Sequence, residues 1–267
     1  MNEVIRQLAA RKSVRAFEDR DIPSEVRAAI LEAAAQAPTA GNQQLYTILD
    51  VTDPQLKARL AETCDHQPFI ATAPMVLIFL ADVCKWLDAY RGAGCEPRAP
   101  GAGDVMLAAS DAAIAAQNAV TAAWSLGVGS CYIGDVMERC EEHREMLNLP
   151  PHVFPAAMLV LGYPTEQQAR RPKPERFNMA DIVCENVYRR KDGPALRRMF
   201  AGRCALRGYD AWMDAFCQRK YNSDFSREMT RSVEAYLRDY GLVRAEDGGE
   251  FRVNGPLGVF LHAVASG

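Results

Sequence analysis

Three groups of residues in this chain have the types and spacing to grip a phosphorylated, flat heteroaromatic molecule. The first is Arg11, Lys12, Ser13 and Arg15. Arginine offers a planar fork of donors that matches phosphate, and serine adds a neutral donor beside it. The second is Pro38, Thr39, Asn42 and Gln44. Amide side chains carry donors and acceptors together, which suits a ring edge where carbonyls and ring nitrogens alternate. The third is the basic run Arg170, Arg171, Lys173 and Arg176. Between the last two groups stands GVGSCYIG, residues 127–134, whose glycines let backbone N–H groups approach a planar ligand. Taken singly, each group has an ordinary explanation: charge runs face water, polar turns are common, and glycine caps helices.

Several other chemistries are excluded. The G-x-G follows a helical stretch instead of a strand and no third glycine completes it, which argues against a Rossmann dinucleotide site. His66, His143, His152 and His262 form no HExxH or His-x-His pair, so no catalytic metal is expected. The eight cysteines are scattered without a C-x-x-C pair and read as reduced structural thiols. A net charge of −3 provides no global field for nucleic acid. The longest strongly apolar run, Pro74 to Ala81, is too short to span a bilayer, and no apolar run follows the basic residues of the N-terminus. A soluble, cytoplasmic protein is expected.

The elements that must position these groups read as follows. Residues 3–11 form a short amphipathic helix with Val4, Ile5 and Leu8 on one face. Ser24 caps a second helix that runs to about Gln36 and stops before Pro38. Leu45 to Val51 is strand-like, and Asp53-Pro54 opens another helix. Pro74 to Ala81 lacks alternation, as expected of a strand covered on both faces. Residues 91–103, rich in glycine and proline, read as a mobile loop. Asp104 to Leu126 is a long, alanine-rich buried helix closed by Gly127. Asp135 and Glu138 cap a helix to about Leu147, and Phe154 to Tyr163 is a second buried strand. Beyond about 186 the chain is arginine-rich. It holds one clear amphipathic helix, Phe225, Met229, Val233 and Tyr236/Leu237, and a weakly patterned tail from Gly248. Many helices and few strands predict an α+β fold around a central sheet. With 49% hydrophobic residues in 267, one large domain with trimmings, or one domain plus an appendage, is expected.

The order of the motifs adds what no single one carries. R-x-S-x-R, then P-T-x-x-N-x-Q, then AAQNAVTAAWSLG, then G-x-G-S-C-Y-I-G, then KPER resembles the nitroreductase family of FMN-dependent oxidoreductases over roughly residues 1–190. The resemblance implies an α+β nitroreductase-like fold, a central mixed or antiparallel sheet flanked by helices, and a homodimer with the long helix buried and two FMN clefts built by both subunits. It implies residues 1–190 as the FMN-binding domain and 191–267 as a C-terminal helical extension. Arg11, Ser13 and Arg15 match the family's first FMN motif, with Lys12 inside it. Pro38 and Thr39 match the segment laid by the partner against the ring, and Asn42 and Gln44 its polar end. Ile133 and Gly134 match the place where a backbone N–H faces flavin N5. Lys173 and Arg176 match the late phosphate-binding pair, with Arg171 an alternative member. Thr39 stands where serine is commoner, and Leu45 where proline often follows.

The activity implied is transfer of hydride from NADH or NADPH through flavin N5 to nitroaromatic, quinone or similar electron-poor acceptors, by a ping-pong scheme. The flavin bears the chemistry, so no catalytic side chain is named. The alternatives are a flavin-binding redox sensor or store without turnover, and a related flavoenzyme such as a reductive dehalogenase. Tyr46, Phe69 and Tyr90 are the rings that could line an acceptor pocket, although such rings more often belong to core or rim.

Overall fold

A computed structural model describes residues 1–244 and 251–253. Residues 1–171 and the described residues from 228 onward form one compact unit, and residues 172–227 a second. The first unit holds α1 (Glu3–Ala10), α2 (Ser24–Ala35), β1 (Tyr46–Asp50), α3 (Pro54–Thr63), β2 (Met75–Asp82), α4 (Cys84–Gly92), α5 (Ala102–Ser125), β3 (Gly129–Ile133), α6 (Cys140–Met146), β4 (Val153–Gly162) and α7 (Glu166–Arg170). The second holds α8 (Met179–Ile182), α9 (Gly193–Cys204) and α10 (Tyr209–Lys220). The helix α11 (Asp224–Leu237) leads back to the first unit, where β5 (Leu242–Arg244) pairs antiparallel with β6 (Phe251–Val253).

The main sheet has four strands in the order β1-β2-β4-β3, all antiparallel. Its central strand explains itself. Every residue of β2 is buried, but alternate side chains serve different cores. Met75, Leu77 and Phe79 join a cluster with Ile30 and Ala34 of α2 and the alanines of α5. Val76, Ile78 and Leu80 join Leu60 of α3 and Tyr236 of α11 on the other face. Helices on both sides therefore erase the apolar–polar alternation of a half-exposed strand. On α5, Ala108, Ala112, Ala115, Ala116, Ala119 and Ala123 are buried, and such small side chains let backbones come close. Asn118 Nδ2 reaches the Ala33 carbonyl of α2 at 3.1 Å, tying the two helices together.

Several sequence expectations need correcting. Pro23 is the cap residue of α2, and Ser24 is its first helical residue with no side-chain cap bond. Neither Asp135 nor Glu138 caps α6: Arg139 occupies that position at φ 47° without a side-chain cap. The start of α6 is instead satisfied from α11. Glu228 Oε1 accepts the Arg139 N–H at 3.1 Å, and Ser232 Oγ accepts the Cys140 N–H at 2.9 Å. The glycine-punctuated segment after α5 proves to be strand β3, and α4, α9 and α10 carry no signal strong enough for sequence reading. Asp53 does cap α3, its carboxylate accepting the Gln55 N–H at 3.0 Å. Of the weakly patterned tail, 248–250 and 254–267 lie outside the described residues.

The second unit has a small cluster of half-buried aromatic rings. Phe177 meets Phe200 edge-on at 5.1 Å between ring centroids, and Trp212 stacks on Phe216 at 4.7 Å. Among the described residues no helix is long and apolar enough to cross a membrane.

Candidate functional site

The segment after α1 lies along β3. Ser13 bridges to Ser130 in parallel, and the Val14 N–H donates to the Ser130 carbonyl at 2.9 Å. Further on, Phe17 bridges to Pro164, and the Glu18 N–H donates to the Tyr163 carbonyl at 2.8 Å. Two glycines make this approach possible. A Cβ on Gly129 would stand 2.6 Å from Val14 Cγ2, and one on Gly162 would stand 2.7 Å from Phe17 Cδ1. Neither distance can be tolerated, so glycine at both positions is what lets the segment close onto the sheet.

This docking brings the first cationic cluster to β3. The Arg11 guanidinium lies over the Tyr132 ring, 6.0 Å from its centroid. Ser13 and Arg15 approach the Cys131 thiol; burial nevertheless pushes that thiol up from its ordinary value, with Arg15 and Ser13 opposing. Burial also lifts the Tyr132 phenol to about 12, with Arg11 opposing. Both groups are thus neutral near physiological pH, and the local positive field comes from the arginines alone. Lys12 behaves differently. Its ammonium donates to the Ala169 carbonyl at 2.6 Å and to the Arg171 carbonyl, fastening the segment to the end of α7. The Arg15 N–H adds a bond to Gln168 Oε1 at 3.3 Å.

Ile133, buried, ends β3, and the exposed Gly134 opens a single 3-10 turn, Gly134–Met137. That turn is pinned from below by His143, which is fully buried. The Val136 carbonyl, 2.9 Å from Nδ1, can only accept, so Nδ1 carries the proton; Nε2 lies 2.9 Å from Thr63 Oγ1 on α3. Burial lowers the His143 pKa, which favours this neutral form.

The second cluster sits in a tightly specified loop before β1. Gly41, Asn42 and Gln44 all take left-handed backbone conformations, at φ 56°, 55° and 50°. Non-glycine residues hold such angles when their surroundings over-determine them, a pattern concentrated at functional sites. The determinants are visible. Thr39 Oγ1 accepts the Gln44 N–H at 3.1 Å. The buried Asp111 of α5 accepts the Ala40 N–H at 3.0 Å and the Leu45 N–H at 3.2 Å. The Trp86 indole donates to the Gln43 carbonyl at 2.7 Å. With the loop so held, Pro38, Asn42 and Gln44 are exposed and Thr39 is half-buried.

The two clusters stand at opposite edges of one sheet. The loop Pro38–Gln44 leads into β1, and Arg11–Arg15 flanks β3, with β2 and β4 between. At ~4.8 Å per strand the separation is roughly 14 Å or more. Lys173 and Arg176 belong to the second unit: Lys173 is half-buried, and the exposed Arg176 bonds the Pro174 carbonyl at 3.4 Å. Of the candidate rings, Tyr46 is buried in the core, Phe69 packs at its margin, and Tyr90 lines an open cavity.

Three positioning residues escaped sequence reading: Asp111, His143 and Trp86. Asp111 left a trace. It is the one charged residue between Leu107 and Ser125 in an otherwise apolar, alanine-rich stretch. A buried acid there needs partners, and it finds two backbone N–H groups. Among the described residues no cluster of three or more potential ligands could hold a metal ion.

Similarity to known proteins agrees with this architecture. A family model described as the nitroreductase family matches residues 8–163. An FMN reductase (NAD(P)H) of Bacillus subtilis is 31% identical over 239 residues, covering 88% of this chain and 91% of its own. An oxygen-insensitive NADPH nitroreductase of Salmonella typhimurium is 33% identical over 202 residues, covering 74% and 80%. Among solved structures, B. megaterium NfrA2 aligns with a TM-score of 0.78 at 28% identity over 90% of this chain and 98% of that one. The chain belongs to the nitroreductase family.

Proposed function

We propose that the protein is an FMN-dependent NAD(P)H oxidoreductase, acting on nitroaromatic, quinone or similar electron-poor acceptors. The carrying observation is the bed formed where Arg11, Ser13 and Arg15 flank β3, two to four residues before the exposed backbone of Gly134. Relatives named as FMN reductases and an NADPH nitroreductase support the cofactor pair.

The donor set fits FMN. Two guanidinium groups and a hydroxyl match a phosphate ester and the polar pyrimidine edge, and an adjacent glycine backbone suits a flat ring. When bound, FMN supplies the redox chemistry, accepting hydride from the nicotinamide nucleotide and yielding it to the acceptor. The chain's residues do the rest. Arg11 and Arg15 neutralise negative charge, Ser13 donates to an acceptor oxygen, and Ile133 and Gly134 present backbone to the ring. Lys12 holds the segment in place. Lys173 and Arg176 are the proposed later phosphate-binding pair. With FMN held there, donor and acceptor would share one site in turn, which would give ping-pong kinetics.

The working unit is a homodimer. The opposite-edge placement supports a cleft in which Pro38, Thr39, Asn42 and Gln44 of one subunit complete what Arg11, Ser13 and Arg15 form in the other. An exposed apolar face is available for this: Val4, Ile5 and Leu8 of α1 are 57%, 51% and 49% exposed, and Ile114 of α5 is 40% exposed. In this reading residues 1–190 carry the flavin-binding domain, and α11 adds Tyr236 to the core of its sheet. Eight free thiols accord with a cytoplasmic protein.

The test is the purified protein's visible spectrum, then anaerobic titration with NADPH. A yellow protein that bleaches, and regains colour on adding a nitroarene, is expected. Arg11→Ala should weaken FMN binding on the order of 10–100-fold, the worth of a charge-assisted contact, and Ser13→Ala by less. Wild-type flavin content in both variants after long dialysis overturns the site assignment.

A further inference from the structure

One cavity of the first unit has no part in the flavin bed. It has a volume of about 510 Å³ and opens between α4, the start of α5 and the loop 93–101. That is the size range of pockets that enclose a drug-sized molecule. Its apolar wall is Leu45, Val83, Trp86, Leu87 and Tyr90. Trp86 and Tyr90 stand one helical turn apart, with ring centroids 5.6 Å apart and planes tilted by 40°. Both rings line the cavity, so a flat aromatic molecule inside it can pack against aromatic surface. The Trp86 indole N–H is already engaged with the Gln43 carbonyl, so this ring offers its surface and not its donor.

The polar groups lie on one side and have a definite sign. Glu96, Arg98 and Asp104 all line the cavity. Arg98 forks onto Asp104, at 2.7 and 2.9 Å, and the Gly101 N–H adds a third bond to the same carboxylate at 2.8 Å. These bonds hold the Asp104 carboxyl below its usual range, Arg98 being the main cause. One cation against two anions leaves a net negative rim, which repels an anionic ligand and tolerates a neutral or cationic one. The cavity also reaches the loop that meets the ring in the dimer, because Gln43 lines both.

We infer that this cavity recognises the acceptor, taking a flat, uncharged aromatic molecule and turning away anionic ones. The occupant's role as acceptor rests on the oxidoreductase reading above; the recognition itself rests on the cavity. Tyr90 and Glu96 are its specificity determinants, one for shape and one for charge.

Cys95 supplies a local reporter, since its exposed thiol lines the same cavity while Cys184 and Cys217 are exposed elsewhere. The oxidised holoenzyme is alkylated with iodoacetamide, and labelling of each cysteine is followed by peptide mass mapping. Neutral 4-nitrobenzamide should slow Cys95 labelling at least 5-fold and leave Cys184 and Cys217 unchanged. The anionic 4-nitrobenzenesulfonate should not protect. Tyr90→Ala should raise the half-protecting concentration of the amide, and its KM in the NADPH-coupled assay, about 5–20-fold with flavin content unchanged. Glu96→Lys should let the sulfonate protect. Turnover of the nitroarene with no protection of Cys95 overturns this inference and leaves the oxidoreductase reading intact. Protection without any NAD(P)H-dependent turnover overturns the acceptor role together with that reading. Equal protection by amide and sulfonate overturns the charge selection.

Discussion

Two buried carboxylates of this chain sit in opposite circumstances. Asp111 is satisfied by the Ala40 and Leu45 N–H groups and so locks the Pro38–Gln44 loop to α5. Asp111→Ala strands both donors, at about 1–3 kcal/mol each. Thermal unfolding should show that loss of stability, and flavin retention should fall because the loop is no longer held. Glu138 is the reverse case. It is 6% exposed, and its Oε1 has no hydrogen-bond partner among the described residues. Burial, with Asp135, Asp65 and Glu228 nearby, lifts its pKa to about 7. A carboxyl raised in the folded state is best tolerated protonated. Its contribution to stability is therefore complete below the unfolded pKa, near 4.5, and is lost as pH rises through about 7. Glu138→Gln should match wild type at pH 4.5 and exceed it at pH 8 by on the order of 2–3 kcal/mol. Denaturant melts at the two pH values decide this, and equal differences at both would show that Glu138 is not the titrating group.

At the scale of elements, the docking of one extended segment onto β3 decides where the arginines stand, and Gly129 permits it. Gly129→Ala places a methyl 2.6 Å from Val14 Cγ2, so the segment must lift or β3 must bend. Overpacking of this kind costs about 1–3 kcal/mol. The expected variant is folded, less stable, and weaker for FMN, because Arg11, Ser13 and Arg15 ride on the displaced segment; unchanged flavin affinity in a folded variant would sever that link. The same elements show what sequence can reveal. α5 was legible because alanine at close helical spacing admits few other readings. β2 was legible as a strand covered on both faces, and its residues divide between two cores. β3 was not, because it opens on Gly129, a poor strand former, and is only five residues long, held extended by neighbours on both sides, β4 and the residue-13 segment. The start of α6 misled for a related reason: its caps, Glu228 and Ser232, lie some ninety residues further along the chain. In the candidate site, residue types marked the candidate ligands, but the residues that hold their loops and turns, Asp111, His143 and Trp86, act through tertiary contacts that no local spacing encodes.

For the whole molecule, the sheet order carries the largest consequence. A loop entering β1 and a segment beside β3 cannot close around one ring within one sheet of order β1-β2-β4-β3, but two copies can bring them together. α1 is suited to join those copies. It is amphipathic, yet Val4, Ile5 and Leu8 are about half exposed, which leaves an apolar face uncovered in the single chain. Burying such residues against a partner is worth on the order of 1–2 kcal/mol per side chain, counted twice in a symmetric interface. A charge placed there acts twice as well, because Leu8→Glu sets a carboxylate into both halves of the contact. Leu8→Glu should therefore shift the protein from dimer to monomer in sedimentation velocity at micromolar concentration. It should lose FMN at the same time, although Leu8 belongs to neither ligand cluster. Flavin loss should also deepen on dilution, as expected when half of each cleft comes from the partner. A monomeric variant that keeps its FMN at wild-type affinity would show that each chain builds its cleft alone, and that the clusters at the two edges of the sheet serve different ends.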